Sequence, residues 1–156
     1  MRKLTTVVLL SGLLAACASP ARDREDQISQ EVEKSIQDSE IRARESRTLS
    51  ALAKLEEAVA AYIAAEGRIP DSVEALIPKY LADVPNVEID VRGHRDGNAV
   101  RVYSSKILMD GQIDGSQLKD TGRWGYVHNE RQVVIFIDCT HPSHHGHPWY
   151  MQHGVF

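Results

Sequence analysis

The densest group of metal-ligating side chains lies near the C-terminus of this 156-residue chain. Five of the seven histidines fall between His141 and His153, and a cysteine precedes them. Imidazole nitrogen suits zinc, copper and nickel, and a thiolate adds a softer donor. The alternative is a solvated polar tail, because Pro142 and Pro148 restrict the backbone. The candidate transition-metal ligands are Cys139, His141, His144, His145 and His147.

Two catalytic interpretations of nearby residues are disfavoured. Asp120-Thr121-Gly122 has the letters of an aspartic protease site, but that chemistry needs two carboxylates sharing a proton in a dry setting, and Lys119 and Arg123 flank this one. Cys139 and His141 are two residues apart, with no third group identifiable to orient them as a nucleophile and base. Nothing resembles a phosphate loop or a dinucleotide fingerprint. We therefore expect a non-enzymatic protein.

The N-terminus predicts export and lipidation. Met1-Arg2-Lys3 is cationic, and residues 4–14 carry no charge but are too few to span a bilayer as a helix. Leu14-Ala15-Ala16-Cys17 resembles a bacterial lipobox. The sequence thus predicts a lipoprotein signal peptide over residues 1–16 and a Cys17 that carries acyl chains such as palmitate, which give durable membrane anchoring. The alternative is an ordinary secretory signal with Cys17 incidental.

The anchor has two further implications. Ala18 and Ser19 follow Cys17 where lipoproteins kept on the inner membrane carry Asp, so we expect an outer-membrane protein facing the periplasm. Acylation of Cys17 leaves Cys139 as the only thiol in a compartment that permits disulfides, and no internal disulfide is possible. Cys139 is then a small buried residue, or it pairs with a metal or with another chain.

Charge excludes one class of partner. The chain has 22 acidic and 18 basic residues, and removal of Arg2 and Lys3 with the signal peptide leaves 22 against 16, a net charge of −6. Nucleic-acid binding needs a clustered basic surface that neutralises phosphates. We expect no nucleic-acid partner.

A charged stalk is predicted to separate the anchor from a domain. Fourteen of the 26 residues from Arg22 to Arg47 are charged, with both signs alternating. Ile28, Val32 and Ile36 recur every four residues, which favours a solvated helix. Residues 17–47 are therefore interpreted as lipidated cysteine plus spacer. A coiled coil that binds a partner is the alternative.

Residues 48–156 predict one α+β domain. Leu52, Leu55, Val59 and Tyr62 form an apolar stripe at helical spacing, and the helix should end at Glu66-Gly67. A short helical turn follows at 71–77. Alternating apolar residues then predict strands at 87–91, 100–102, 124–127 and 133–137, with a loop over 110–122. We expect the long helix to pack on a small antiparallel sheet.

The order of these elements resembles a known family. The helix ends in Ala-Ala-Glu66-Gly67-Arg68-Ile69-Pro70, and Asp71-Ser72-Val73-Glu74-Ala75-Leu76, Pro78-Lys79-Tyr80-Leu81 and Val84-Pro85 follow. Over roughly residues 49–150 this resembles the globular domain of type II secretion pseudopilins of the general secretion G class. The chain lacks their Gly-Phe-Thr-Leu-x-Glu processing site and continuous apolar helix, so the resemblance favours an accessory pilin-like lipoprotein over a polymerising subunit.

The resemblance implies a partner and a second metal. Pseudopilins of this class hold calcium in the loop before the last strands, and hard carboxylate ligands on a flexible loop suit that ion. The corresponding candidates here are Asp110, Asp114 and Asp120, although Asp-Gly pairs are also common turn chemistry. The function expected from the sequence is a lipid-anchored accessory protein with a protein partner in a secretion or pilus-like assembly. The alternative is a metal-binding lipoprotein that uses the C-terminal histidines.

Overall fold

The computed structural model describes residues 20–154, with the side chains of residues 24–154. The predicted signal peptide and Cys17 lie outside this range. The chain divides at Ile36 and Gln37 into two units. In the first unit, every described side chain from Arg24 to Ile36 is exposed. The second unit, from Gln37 onward, contains the buried core and all strands that the structure describes.

One helix, α1, runs from Pro20 to Glu66. No Gly or Pro interrupts it after Pro20, and its second half is rich in alanine, the residue with the highest helix propensity. It ends where the sequence predicts: Gly67 takes a φ of +67° and donates its N–H to the Ile63 carbonyl at 2.9 Å. Among the described residues, no helix combines the length and apolar character needed to cross a bilayer.

The domain is α+β, with a short helical turn at Val73–Leu76 and five short strands. The strands form a three-stranded sheet of order β1-β4-β5 and a separate two-stranded sheet, β2-β3. Their bounds are β1 Val100–Tyr103, β2 Leu108–Met109, β3 Gln112–Ile113, β4 Trp124–His128 and β5 Val133–Ile137.

The expected antiparallel sheet is wrong in one pairing. β4 and β5 form the predicted antiparallel hairpin, but β1 runs parallel to β4. Parallel pairing requires a crossover that returns the chain to the end of the sheet from which it came. Residues 104–123 make that crossover, and part of the expected loop at 110–122 belongs to the β2–β3 hairpin within it.

The predicted strand at 87–91 is also absent from the described structure, where one bridge pairs Val87 with Gly97. One side chain of α1 pairs with the main chain of this segment instead. The Thr48 hydroxyl donates to the Glu88 carbonyl at 2.8 Å and accepts from the Glu88 amide at 2.7 Å. Both main-chain groups of Glu88 are therefore paired with the helix and not with a neighbouring strand.

Apolar residues of α1 cover one face of the three-stranded sheet, as predicted. Leu52, Leu55, Val59 and Tyr62 of the helix share a core with alternate residues of the hairpin. Those hairpin residues are Trp124, Tyr126, Val133, Ile135 and Ile137. The period-two alternation of the strands places this set on the helix side.

The crossover covers the other face. Val127, Val134 and Phe136 point away from the helix and pack with Ile107 and Ile113. Both faces of the hairpin are thus buried, which explains why all five β5 residues, Val133–Ile137, are apolar and buried. The hairpin is a rigid frame, and the loops at its ends are positioned by it.

Candidate metal centre

Four potential metal ligands meet at one end of the three-stranded sheet. One ligand atom from each lies within 4.8 Å of all the others, and no other group of three or more His, Cys, Asp or Glu side chains meets this condition among the described residues. Donors bound to one zinc ion at about 2.0–2.3 Å stand roughly 3.3–3.8 Å apart, so little movement would bring these four onto a single ion. The four residues, hereafter the metal cluster, are His94, Asp120, Cys139 and His141.

Strand register explains why the cluster forms. Val100 at the start of β1 pairs with Trp124 at the start of β4, and Trp124 pairs with Ile137 at the end of β5. These three partners form one row across the sheet. The segments just beyond the row supply all four donors, from the turn before β1, the turn before β4 and the chain after β5.

His94 is the buried arm of the cluster. Its side chain is 8% exposed, and its Nε2 atom has no hydrogen-bond partner. The nearest acidic atom, Asp120 Oδ1, lies 3.6 Å from Nε2. A buried imidazole nitrogen without a partner is costly unless something else satisfies it. A cation shared with Asp120 would do so.

Two features fix the position of Asp120: its own backbone conformation and a hydrogen bond to its side chain. It adopts a left-handed conformation with φ +54°, and its Oδ1 accepts the Thr140 amide at 2.8 Å. Burial alone would raise the pKa of Asp120, but the Thr140 hydrogen bond and the nearby His141 and His94 together lower it. The side chain is therefore an anion at neutral pH and a ready cation ligand.

The turn that carries Asp120 is hydrogen-bonded to Asp138. Its carboxylate is fully buried and accepts the amides of Asp120 and Thr121 at 3.1 and 3.3 Å, and the Thr121 hydroxyl at 2.6 Å. Its main chain also pairs with Gly122 and Arg123. Asp138 thus fixes the loop that carries Asp120, as outer partners of metal ligands commonly do.

Cys139 is the one fully buried residue of the metal cluster. Burial, aided by the Asp120 carboxylate, raises the pKa of the Cys139 thiol to about 12. As the free group it is an inert thiol, since the thiolate is the reactive form. A divalent cation reverses this preference by deprotonating the sulfur that binds it.

His141 is the exposed arm, with 48% of its side chain accessible. Its Nδ1 atom faces both Asp120 Oδ2, at 3.3 Å, and Cys139 Sγ, at 3.7 Å. In a catalytic triad, the nucleophile contacts one nitrogen of the histidine ring and the carboxylate contacts the other. Here the carboxylate and the sulfur both face the same nitrogen, Nδ1. This geometry disfavours a Cys-His-Asp catalytic triad and is compatible with three side chains that bind one ion.

The structure separates the other predicted ligands from the cluster. Asp114 caps the turn at Gly115–Gln117 and accepts hydrogen bonds from Ser116 and Gln117, which lower its pKa. Asp110 lies in the left-handed tip of the β2–β3 hairpin. Asp110, Asp114 and Asp120 do not form a three-ligand group among the described residues. Calcium binding by this loop stays a prediction.

The other three predicted histidine ligands are in the loop that follows the cluster. The loop is closed at its base by hydrogen bonds from Trp149 to the His141 carbonyl and from Tyr150 to the Cys139 carbonyl. The rings of His144 and His145 have centroids 6.2 Å apart. His144, His145 and His147 are exposed and lie outside the metal cluster.

The sequence predicts three of the four cluster residues, as members of two separate candidate sites, and does not predict His94. Asp120 was grouped with calcium ligands, and Cys139 and His141 with the histidine tract. His94 stands 26 residues before Asp120 in a turn-rich segment, Gly93-His94-Arg95-Asp96-Gly97, that indicates a connection and no ligand. Only the parallel pairing of β1 brings it to the same end of the sheet as Cys139.

Comparison of the chain with protein-family models, with curated proteins and with solved structures found no significant match.

Proposed function

We propose that this chain is a lipid-anchored envelope protein whose α+β domain binds one divalent transition-metal ion, with zinc the best fit. One observation supports metal binding above all others: four donors from three separate segments converge within 4.8 Å. The His94 ring nitrogen in that group is buried and unpartnered. A convergence of this kind costs free energy in desolvation unless a cation offsets it.

The donor types favour zinc. Two imidazoles, a thiolate and a carboxylate are all common zinc ligands, and four protein ligands complete a tetrahedron. Thiolate and carboxylate together carry two negative charges, which neutralise a divalent ion in a partly buried setting. Copper is the closest competitor, since two histidines and a cysteine also suit it.

A non-enzymatic role agrees with the same geometry. A catalytic zinc site keeps one position open for water or substrate and has three protein ligands. Here four side chains face one another, and the Cys139 thiol is buried and inert as a nucleophile. The domain would bind metal as a structural or carrier protein.

The pilin-like accessory role is the second candidate. One feature favours it: α1 ends at Glu66, a short helical turn follows at Val73–Leu76, and the helix covers one face of the sheet that the later strands form. That element order is the one on which the pseudopilin resemblance depends. Lipid anchoring at Cys17 and an outer-membrane location facing the periplasm belong to this proposal, and a metal site in the domain is compatible with it.

The decisive experiment is elemental analysis of the full chain, purified in detergent without an affinity tag. We expect about one zinc per chain, retained through dialysis and removed by a strong chelator. His94→Ala should abolish retention, because it removes the buried ligand. The matched control is the triple variant His144→Ala, His145→Ala, His147→Ala, which should retain the metal. Loss of metal in the triple variant with retention in His94→Ala would place the site in the histidine loop and refute the metal cluster.

A further inference from the structure

We infer that the ion of the metal cluster has a structural role: it fastens the turn that carries His94 to the sheet and, through Asp96 and Arg44, fastens helix α1 to the same end. This inference rests on the proposed metal binding. The ion would stabilise the domain, and the Asp96–Arg44 contact with the helix would depend on it.

The turn that carries His94 has few ties to the sheet. It is closed at its base by the Val87–Gly97 bridge, with hydrogen bonds of 2.9 and 3.2 Å. Arg123 donates to the Asp96 carbonyl at 2.9 Å. The His94 ring points into the metal cluster but makes no hydrogen bond there. An ion bound by His94, Asp120 and Cys139 would join segments about 26 and 19 residues apart, and because these ligands are brought together only in the folded chain, its binding free energy adds to the stability of the fold.

The same turn also binds the helix. Two residues after His94, the Asp96 carboxylate accepts both hydrogen bonds from Nη2 of Arg44, at 2.7 and 2.9 Å. The Arg44 side chain is 35% exposed, so this ion pair is partly shielded from water. Arg44 stands at the start of the packed part of α1, beside the buried Glu45 and one turn before Thr48. The path from ion to helix is therefore His94, Asp96, Arg44.

A closed ligand set agrees with a structural ion. Structural zinc sites use four protein ligands and contribute folding free energy directly. Residues 48–154 contain one cysteine, so no disulfide within this described part of the chain can perform this task. Metal clips and disulfides are the usual staples of small exported domains.

Thermodynamic reciprocity supplies the test. If the ion stabilises the Asp96–Arg44 contact, removal of that contact must weaken the ion's binding by the same factor. Arg44→Gln should therefore lower zinc affinity about fivefold or more, as measured by competition with a chromophoric chelator on the full chain. Arg42→Gln is the matched control: Arg42 is exposed on the same helix, and its Nε donates to the Asp38 carbonyl within the helix at 3.2 Å, away from the His94 turn. Its zinc affinity should equal that of the wild type.

Hydrogen exchange on the same proteins locates the effect. Chelation of the wild type should raise deuterium uptake in residues 92–98 and in residues 42–50 of the helix. In zinc-loaded Arg44→Gln, uptake at 42–50 should already be high. Equal zinc affinities for Arg44→Gln and Arg42→Gln, or unchanged deuterium uptake in the wild-type helix after chelation, would overturn the inference while leaving metal binding intact. A wild-type chain that holds no zinc would refute the proposed function itself.

Discussion

Gly122 lies directly against the imidazole of His94. A Cβ atom added at Gly122 would lie 2.5 Å from Cγ of that ring, far inside van der Waals contact. Gly122 also has a φ of +66°, which disfavours any other residue. The glycine therefore leaves the space in which the His94 ring lies while its Nε2 approaches Asp120.

Gly122→Ala should damage the metal cluster specifically. The new methyl group must displace the His94 ring, and we expect zinc affinity to fall by about 10- to 100-fold, as for changes that disturb a ligand's support. Gly67→Ala is the matched control, since Gly67 has the same φ of +67° and open space around it. Both variants should lose about 1 kcal/mol or more of stability from backbone strain. Equal zinc affinities in the two variants would show that His94 does not need this space.

A second prediction concerns the buried Asp138. Asp138→Asn replaces one of the two carboxylate oxygens, which together accept three hydrogen bonds, with an NH2 group that cannot accept. We expect a loss of about 2–4 kcal/mol in the free energy of unfolding, because buried donors lose their partner. Zinc affinity should fall as well, since the Asp120 turn loses its support.

The control for Asp138 is Thr121→Val, which removes one of its three donors and leaves the carboxylate. Its cost should be smaller, about 1 kcal/mol. Urea unfolding of metal-free protein and chelator competition measure the two effects. An Asp138→Asn variant with wild-type stability would mean that these hydrogen bonds have no net value.

Local patterns in the sequence predict much of the domain. The end of α1 at Glu66, its buried stripe and the β4–β5 hairpin follow from periodicity and from turn residues. They are local features, so the residues that determine them are close together in the chain. Cys139 and His141 were predicted as ligands for the same reason: both belong to one short tract.

Local sequence patterns do not predict contacts between residues that are far apart in the chain. The parallel pairing of β1 with β4 depends on how the 104–123 crossover packs, and alternating apolar residues do not encode strand direction. The cluster of His94 with Asp120 is a consequence of that pairing. The segment at 87–91 alternates like a strand, but the Thr48 hydroxyl captures the main chain of Glu88. Tertiary contacts override the local signal there.

Lipidation at Cys17 can be tested independently of the metal. Cys17→Ser removes the thioether that carries the diacylglycerol, and the protein should leave the membrane fraction, since the remaining chain has no acyl chains to hold it. Cell fractionation with immunoblotting measures this. Ser19→Ala, a similar change two residues away, should stay with membranes. Continued membrane fractionation of Cys17→Ser would disprove anchoring through that residue.

His153 makes the stability of the metal-free domain depend on pH. Burial lowers the pKa of His153, despite the opposing effects of the Gly154 carbonyl and Glu56. As pH falls below about 6.5, the unfolded chain therefore binds a proton that the folded chain resists. The unfolded state then carries more protons, so the free energy of unfolding falls with pH and is highest above that range.

His153→Gln should remove this component. Between about pH 7.5 and about pH 5.5, the wild type should lose more stability than the variant in urea unfolding after chelation. Chelation is needed because metal release at low pH would add its own effect. His147→Gln, at an exposed histidine, is the matched control and should follow the wild type. If His153→Gln and the wild type lose equal stability over this range, protonation of His153 is not coupled to unfolding.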